Sequence, residues 1–348
     1  MGVALTNATV TVGIPTFNRA PLLAKTIESV LSQTFTDFCL VISDNASTDA
    51  TPDVVRSFAD ERIDYARSDR NVGALANFNR LIALAQTEFL VLLPDDDILY
   101  PSHLEECLTL LRRSDAIGLA HTAFDLIDSE SRVYRRMRPL VTRAPTVIEP
   151  RHRALDRLMV SIWPVCSASV MYRTRAIVEA GGLREQDGEF GDLEMWMRIA
   201  LHWDIGYVAR PLTGFRTHSE SASNKVGNRN GAAADPGELV LLHARMRYER
   251  RMSFLREASI EERSAAALRA RASLQLLVEQ AGEGLAGREV AARVADLIVD
   301  HPRTLSRPAL WRLIVAELGG RRARSLLRAL TAGPAKGAVA SSAPTGVP

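Results

Sequence analysis

Cysteine is scarce in this chain, with three thiols (Cys39, Cys107 and Cys166) in 348 residues. Their odd number and wide spacing exclude a disulfide framework and a thiolate zinc site. Each lies among apolar neighbours, where free thiols are normally buried. Long apolar runs are missing as well. None approaches the roughly 20 residues that cross a bilayer as a helix. No basic segment followed by an apolar stretch marks a secretory signal, so a reducing, cytoplasmic location is expected. Met1-Gly2 with Thr6 meets the loose myristoylation pattern, which is short enough to arise by chance. An excess of one charge is also lacking. The 43 Lys/Arg and 41 Asp/Glu leave a net charge of +2, so the molecule as a whole is not built to bind nucleic acid. No internal repeat is found.

The charge that is present is unevenly placed. Residues 245–328 carry 17 Arg against 10 Asp/Glu, a net +7, whereas residues 1–244 carry 25 Lys/Arg against 31 Asp/Glu, a net −6. The C-terminal part therefore reads as a basic helical addition to an acidic body. Its helices have two readings: docking on an anionic membrane surface, or a helical cap or homo-oligomer contact with Arg on a solvated face. Interleaved Glu favours the second slightly.

The apolar pattern of the first half alternates strand and helix. Val10–Ile14, Phe38–Ile42, Ile63–Arg67 and Phe89–Leu93 read as strands. Helices are expected from Pro21 to about Gln33, from Thr51-Pro52 with Thr51 as N-cap, after Asn71-Val72-Gly73, and after Pro101, where Ser102 and Glu105 fit a capping box. Such alternation argues for a parallel sheet covered by helices on both faces. The loops at 15–19, 44–49 and 94–97 then share one edge, where open α/β sheets bind ligands. Further strands are expected over 116–124, 168–172 and 205–209, an extended piece over 213–218, and helices over 155–162, from Thr174 to Gly181-Gly182, and from Gly191. The Arg-rich stretch 128–153 has no clear pattern; it fits a substrate-facing loop or a solvated excursion. The division drawn is 1–220 for the α/β body (9–122 and 123–220 its two halves), 221–236 a mobile loop, 237–332 helical, and 333–348 a disordered tail.

At the edge of that sheet Leu90-Val91-Leu92-Leu93-Pro94 runs into Asp95-Asp96-Asp97. Three adjacent carboxylates repel one another unless a cation or hydrogen bonds compensate. An oxygen-only set suits Mg²⁺ or Mn²⁺, which could hold a diphosphate. The other reading is a solvated acidic turn capping the next helix.

Taken in order, Val12-Gly13-Ile14-Pro15-Thr16-Phe17-Asn18-Arg19, Asp44-Asn45-Ala46-Ser47-Thr48-Asp49, Asn71-Val72-Gly73, Asp95-Asp96-Asp97, Gly181-Gly182-Leu183, Gly191-Asp192-Leu193-Glu194-Met195-Trp196 and Arg216-Thr217-His218 resemble the family 2 glycosyltransferases over roughly residues 9–220. The resemblance implies the GT-A fold, a Rossmann-like and mostly parallel sheet, here with a C-terminal α-helical extension. It also implies a nucleotide-sugar donor (UDP or dTDP), a hydroxyl acceptor on a glycan, lipid-linked intermediate or small molecule, and inversion.

Residue roles follow from the same resemblance. Pro15, Thr16, Phe17, Asn18 and Arg19 hold the base and ribose, with Asn71, Gly73 and Asn77 completing the nucleotide set. Asp44 accepts from a pyrimidine N–H. Asp95 faces the ribose or the metal, Asp96 belongs with it to the nucleotide-binding set, and Asp97 coordinates the ion directly. Arg216 and His218 close over the diphosphate, with His218 a second metal ligand or simply a loop histidine.

Asp192 is implied as the general base that takes the acceptor proton, although an Asp at a helix start is also an ordinary N-cap. Gly191 stands where many relatives have an acidic residue, so Glu194 is the second candidate for the base. Trp163 and Trp196 suit sugar stacking or core packing equally. Two alternatives remain. A sugar-nucleotide nucleotidyltransferase would open with a Gly-rich basic loop after its first strand, which Pro15–Arg19 lacks. A catalytically inactive nucleotide-sugar-binding protein is the other.

Overall fold

A computed structural model describes residues 8–137, 146–159, 165–187, 191–218, 248–249 and 251–258. Its frame is one ten-stranded sheet. Four apolar segments form the first half: β1 (Val10–Thr16), β2 (Phe38–Asp44), β3 (Ile63–Arg67) and β4 (Phe89–Leu92). They pair in parallel in the order β3-β2-β1-β4. β1, β2 and β4 are buried along their whole length, as strands covered on both faces must be.

The second half adds a two-residue strand β5 (Ile98–Leu99), then β6 (Ile117–Ile127), β7 (Val133–Met137), β8 (Val147–Glu149), β9 (Val170–Arg173) and β10 (Asp204–Arg216). β9 is antiparallel to both β4 and β6, whereas β10 runs parallel to β6. β7 pairs with β6, and β5 and β8 with β10, all antiparallel. The sheet is thus mostly parallel, as expected.

Helices cover both faces. α1 (Ala20–Leu31) and α4 (His103–Leu111) bury Leu23, Ile27, Leu104 and Leu108 in one core layer. On the other face lie α3 (Ala74–Leu84), α5 (Arg151–Leu158), α6 (Thr174–Glu179) and α7 (Gly191–Ala200). They enclose a layer holding Leu81, Leu158, Ile177 and Trp196. Residues 251–257 are helical and belong to this second layer through Phe254 and Leu255, while Arg251 Nε donates to Leu158 O at 3.0 Å. The expected loop 221–236 and tail 333–348, and most of the helical stretch 237–332, lie outside the described residues.

Several local expectations change. Ser102 precedes α4 but makes no cap hydrogen bond. Glu105 instead accepts from Thr34 Oγ1 at 2.8 Å, so the capping box does not form. α2 (Thr51–Ser57) starts with Thr51 inside the helix. Asp49 acts from outside, accepting from Thr51 N–H at 3.0 Å and from Ala20 N–H at 3.1 Å, so one carboxylate serves the starts of two helices. The patternless 128–153 contains β7, β8 and the start of α5. The pieces expected at 205–209 and 213–218 are one strand, β10, whose register shifts around Pro211 absorb the break. All three cysteines are buried and free.

Candidate donor and acceptor site

The carboxyl ends of β1, β2 and β4 lie side by side, with Thr16 opposite Asp44 in register. The loops that leave these ends are tied to one another. Asn18 takes a positive φ of 53° and donates its N–H to Ser47 Oγ at 2.9 Å, while its Oδ1 accepts from Thr48 N–H at 2.7 Å. Asn45 links to the third loop, donating to Asn71 Oδ1 at 2.8 Å and accepting from Val72 N–H at 2.8 Å. Gly73 stands before α3 with φ +89°, a conformation that disfavours side chains. Phe17 and Val72 are among the few exposed large apolar residues, and both belong to these loops.

The acidic turn is gripped from several sides. Asp95 Oδ2 accepts from Thr16 Oγ1 at 2.7 Å and from Phe17 N–H at 3.4 Å. Asp96 pairs with Arg19, and His218 Nε2 lies 3.0 Å from its Oδ2. Asp97 Oδ1 accepts the backbone N–H of Arg216 at 2.7 Å. Thr26 Oγ1, fully buried on α1, reaches the backbone oxygens of Asp95 (3.0 Å) and Asp97 (2.8 Å).

Burial, then the charge of Asp96, raises the Asp95 carboxyl to about 7 against the pull of Arg19 and Thr16. Asp97 is pushed well above the ordinary carboxylate range by the same two causes, opposed by Arg216. Two crowded, buried oxygen donors are thus short of positive charge, a donor set that fits a hard divalent cation. Among the described residues no three acidic, His or Cys side chains converge as a ready cage. Mg²⁺-type sites commonly use one or two carboxylates plus substrate phosphates, so Asp97 with Asp95 is a sufficient protein share.

Other site residues are placed differently from their expected roles. Asp44 is fully buried: its Oδ1 accepts from Ser47 N–H at 2.8 Å, and its Oδ2 meets the Tyr65 hydroxyl and Arg67 Nε, the latter at 3.4 Å. Asn77 is turned into the sheet, with its amide bonded to Ser43 O at 2.8 Å and Ser43 Oγ at 2.6 Å, so it supports β2 and does not line the loops. Pro15 is likewise buried within β1.

Arg216 is 1% exposed, and four of its five guanidinium N–H groups are engaged. They reach Asp96 O (2.7 Å), Asp128 O (2.7 Å), Ser129 O (3.0 Å) and Ser131 Oγ (3.0 Å). It fastens the acidic turn to the β6–β7 connection, which leaves His218 and Arg19 as the basic groups beside Asp96. Glu194 is 2% exposed and pairs with Arg198 at 2.6 Å, and Arg198 also donates to Ala180 O and Gly182 O. It anchors the α6–α7 connection, so the second candidate for the base is structural. Trp196 is core, its indole N–H donating to Tyr172 at 2.9 Å; Trp163 lies outside the described residues.

Asp192 opens α7 at the same edge as the acidic turn. Its Oδ2 accepts from Ser167 and its Oδ1 from Leu193 N–H at 2.7 Å. Ser167 begins a single 3₁₀ turn, Ser167–Ser169, directly before β9, and the turn packs against β4, β5, β6 and β10. The neighbouring Cys166 feels the charge of both Asp97 and Asp192, so the two carboxylates flank one turn. Ser167, Thr26 and Tyr65 escaped the sequence reading, because a hydroxyl whose partner lies tens of residues away leaves no local pattern.

Comparison with known proteins agrees with this arrangement. A curated relative, named an uncharacterized glycosyltransferase of Rickettsia felis, is 24% identical over 229 residues, covering 64% of this chain and 36% of its own length. The chain therefore spans about a third of that relative. A Campylobacter jejuni relative, named GalNAc(5)-diNAcBac-PP-undecaprenol beta-1,3-glucosyltransferase, is 37% identical over 111 residues, covering 31% of this chain and 35% of that protein.

Among solved structures, Staphylococcus aureus TarS 1–349 in complex with UDP-GlcNAc superposes with a TM-score of 0.58 at 14% identity, covering 93% of this chain and 91% of that one. The Pyrobaculum calidifontis mannosyltransferase PcManGT, in complex with GDP-Man and Mn²⁺, gives 0.52 at 16% identity, covering 90% and 86%. These likenesses establish the GT-A fold. Residues 11–181 match the profile described as Glycosyl transferase family 2. Through residues 11–181, just under half of its length, the chain is similar to glycosyl transferase family 2.

Proposed function

We propose that this protein transfers a sugar from a nucleoside diphosphate donor, UDP- or dTDP-linked, to a hydroxyl acceptor by a single inverting displacement. The observation that carries the proposal is the shared edge: the loops after β1 and β2, the acidic turn after β4 and the Asp192 end of α7 all open on it. The ligands of the fold relatives, UDP-GlcNAc for one and GDP-Man with Mn²⁺ for the other, support a nucleotide sugar here.

In this reading the loops 15–19 and 44–49 receive the base and ribose, with Phe17 and Val72 as apolar walls. Asp44, buried with Ser47, Tyr65 and Arg67 on its carboxylate, holds the 44–49 loop in place from beneath. Asp95 and Asp97 would hold a divalent cation, which when bound supplies charge that stabilises the diphosphate as leaving group. Arg19 and His218 sit where the diphosphate oxygens would lie. The acceptor hydroxyl attacks the anomeric carbon from the Asp192 side and its proton passes to Asp192, while the bond from the anomeric carbon to the diphosphate oxygen breaks. Burial raises the Asp192 carboxyl above the ordinary carboxylate range, with its hydrogen bonds to Ser167 and Leu193 offsetting only part of that, which strengthens it as a base. The name of the C. jejuni relative indicates a diphosphate-linked lipid acceptor for that protein, which supports a lipid-linked acceptor here.

Thermal unfolding with UDP, dTDP or GDP, with and without Mn²⁺, on wild type, Asp97→Ala and Asp97→Asn tests the donor site. A ligand that binds only the folded state raises the melting temperature. The expected result is a Mn²⁺-dependent rise with UDP or dTDP that both variants lose. A rise with GDP alone would replace the pyrimidine reading. No rise with any diphosphate from folded protein would overturn the donor site. Asp192→Asn is expected to leave that rise intact and to cut turnover about 10²–10⁴-fold.

A further inference from the structure

The arrangement around Asp192 contains a residue with no assigned part. Ser167 Oγ donates to Asp192 Oδ2, and Leu193 N–H holds Oδ1 at 2.7 Å, so both carboxylate oxygens are fixed from opposite sides. The serine is itself well supported. Its turn is closed by Ser169, whose N–H and Oγ reach Cys166 O at 2.9 and 2.7 Å. Ser169 and Ala168 are fully buried, and the turn rests on the ends of β4, β6 and β10. Unlike a helix cap, which would bring Asp192 only its own backbone contact, this serine comes from another element 25 positions away.

We infer that Ser167 is a positioning residue for the reaction, fixing the Asp192 carboxylate so that its outward oxygen faces the acceptor hydroxyl. The inference rests on the reading of Asp192 as the general base. A base must be oriented by a third group as well as being near its proton. The serine hydroxyl has one proton to give, and it goes to Oδ2, which restricts rotation of the carboxylate about its Cβ–Cγ bond. The same hydrogen bond favours the charged form, against the burial that disfavours it. The titratable groups that feel the Asp192 charge are Cys166, beside the same turn, and Tyr172, on β9; Cys166 also feels the charge of Asp97.

The test uses the full chain and three variants, Ser167→Ala, Ser167→Thr and Asp192→Asn. Its first readout is independent of turnover: a ¹³C-carboxyl NMR titration of Asp-labelled protein, with the Asp192 signal assigned by its loss in Asp192→Asn. In Ser167→Ala the Asp192 midpoint should move to higher pH, and Ser167→Thr should restore it. The second is release of UDP from UDP-GlcNAc, or of GDP from GDP-Man, with Mn²⁺ present. Ser167→Ala should lower kcat about tenfold with unchanged KM, the loss of one hydrogen bond to a charged group. An unchanged titration midpoint in Ser167→Ala overturns the inference, as does a wild-type kcat. Full turnover in Asp192→Asn would instead remove the base reading, while a shifted midpoint would still locate the serine contact.

Discussion

At the scale of single residues, the site is held by hydroxyls as much as by its charges. Thr26 is the clearest case. Its Oγ1 is fully buried, with the backbone oxygens of Leu22, Asp95 and Asp97 within 3.2 Å. Thr26→Val keeps the shape and removes the donor, leaving two turn carbonyls facing an apolar methyl. The expected loss is about 1–3 kcal/mol of stability, read from urea unfolding, and the Mn²⁺-dependent response to UDP should weaken with it. Thr26→Ser should retain both. The acidic run itself was legible in sequence, because three consecutive carboxylates after a buried strand have few explanations. The hydroxyls that hold it were not, since Thr26 lies 69 positions from Asp95 and Thr16 lies 79 from it. Arg216 was read as a ligand contact because its motif resembles one, and sequence pattern carries no information about which way a guanidinium points.

Among the elements, the connection from α6 to α7 sets the direction of the helix that bears Asp192. Gly181 and Gly182 take φ of +78° and +61°, and a Cβ on Gly182 would stand 2.7 Å from Asn79 Oδ1. Arg198 on α7 reaches back to the carbonyls of Ala180 and Gly182, and Glu194 neutralises it at 2.6 Å. Arg198→Met strands a buried carboxylate and frees two carbonyls, so the expected cost is about 3–5 kcal/mol. The paired replacement Arg198→Met with Glu194→Leu should recover much of it. Denaturation midpoints of the single and double variants check this; a double variant no better than the single one would contradict the account.

Elements of this kind were easy to place from sequence, because buried strands and amphipathic helices impose periods. β7 was not, since four of its five residues are exposed and nothing selects their polarity. β10 was split in two because Arg210-Pro211 interrupts the apolar pattern just where the register shifts.

For the molecule as a whole, two buried histidines contribute to the response to acid. His103, on α4, and His121, on β6, are held neutral by burial, with their titration lowered to about 4 and about 3. Among the described residues neither ring nitrogen of His121 has a hydrogen-bond partner. The unfolded chain takes up protons near pH 6.5, while the folded chain resists them until about pH 4. The histidines' share of stability is therefore complete above 6.5 and falls as pH drops through that window, by up to roughly 3 kcal/mol per histidine, while the raised Asp95 and Asp97 carboxyls, which take up protons earlier in the folded than in the unfolded chain, act in the opposite sense. Urea midpoints compared between pH 7.5 and 4.5 isolate this share: His121→Phe should gain stability relative to the wild type as pH falls, and a difference between the two that does not change with pH would argue against His121.

The tie between Asp97 and Arg216 has a consequence in time. The two residues are 119 positions apart. A ribosome adding some 5–20 residues per second therefore needs on the order of ten seconds after making one before it can supply the other. During that interval the nascent chain carries its three crowded carboxylates without the arginine that fastens them. The acidic turn is finished last, so completion of the site waits on synthesis of β10 and not on the earlier strands that display it.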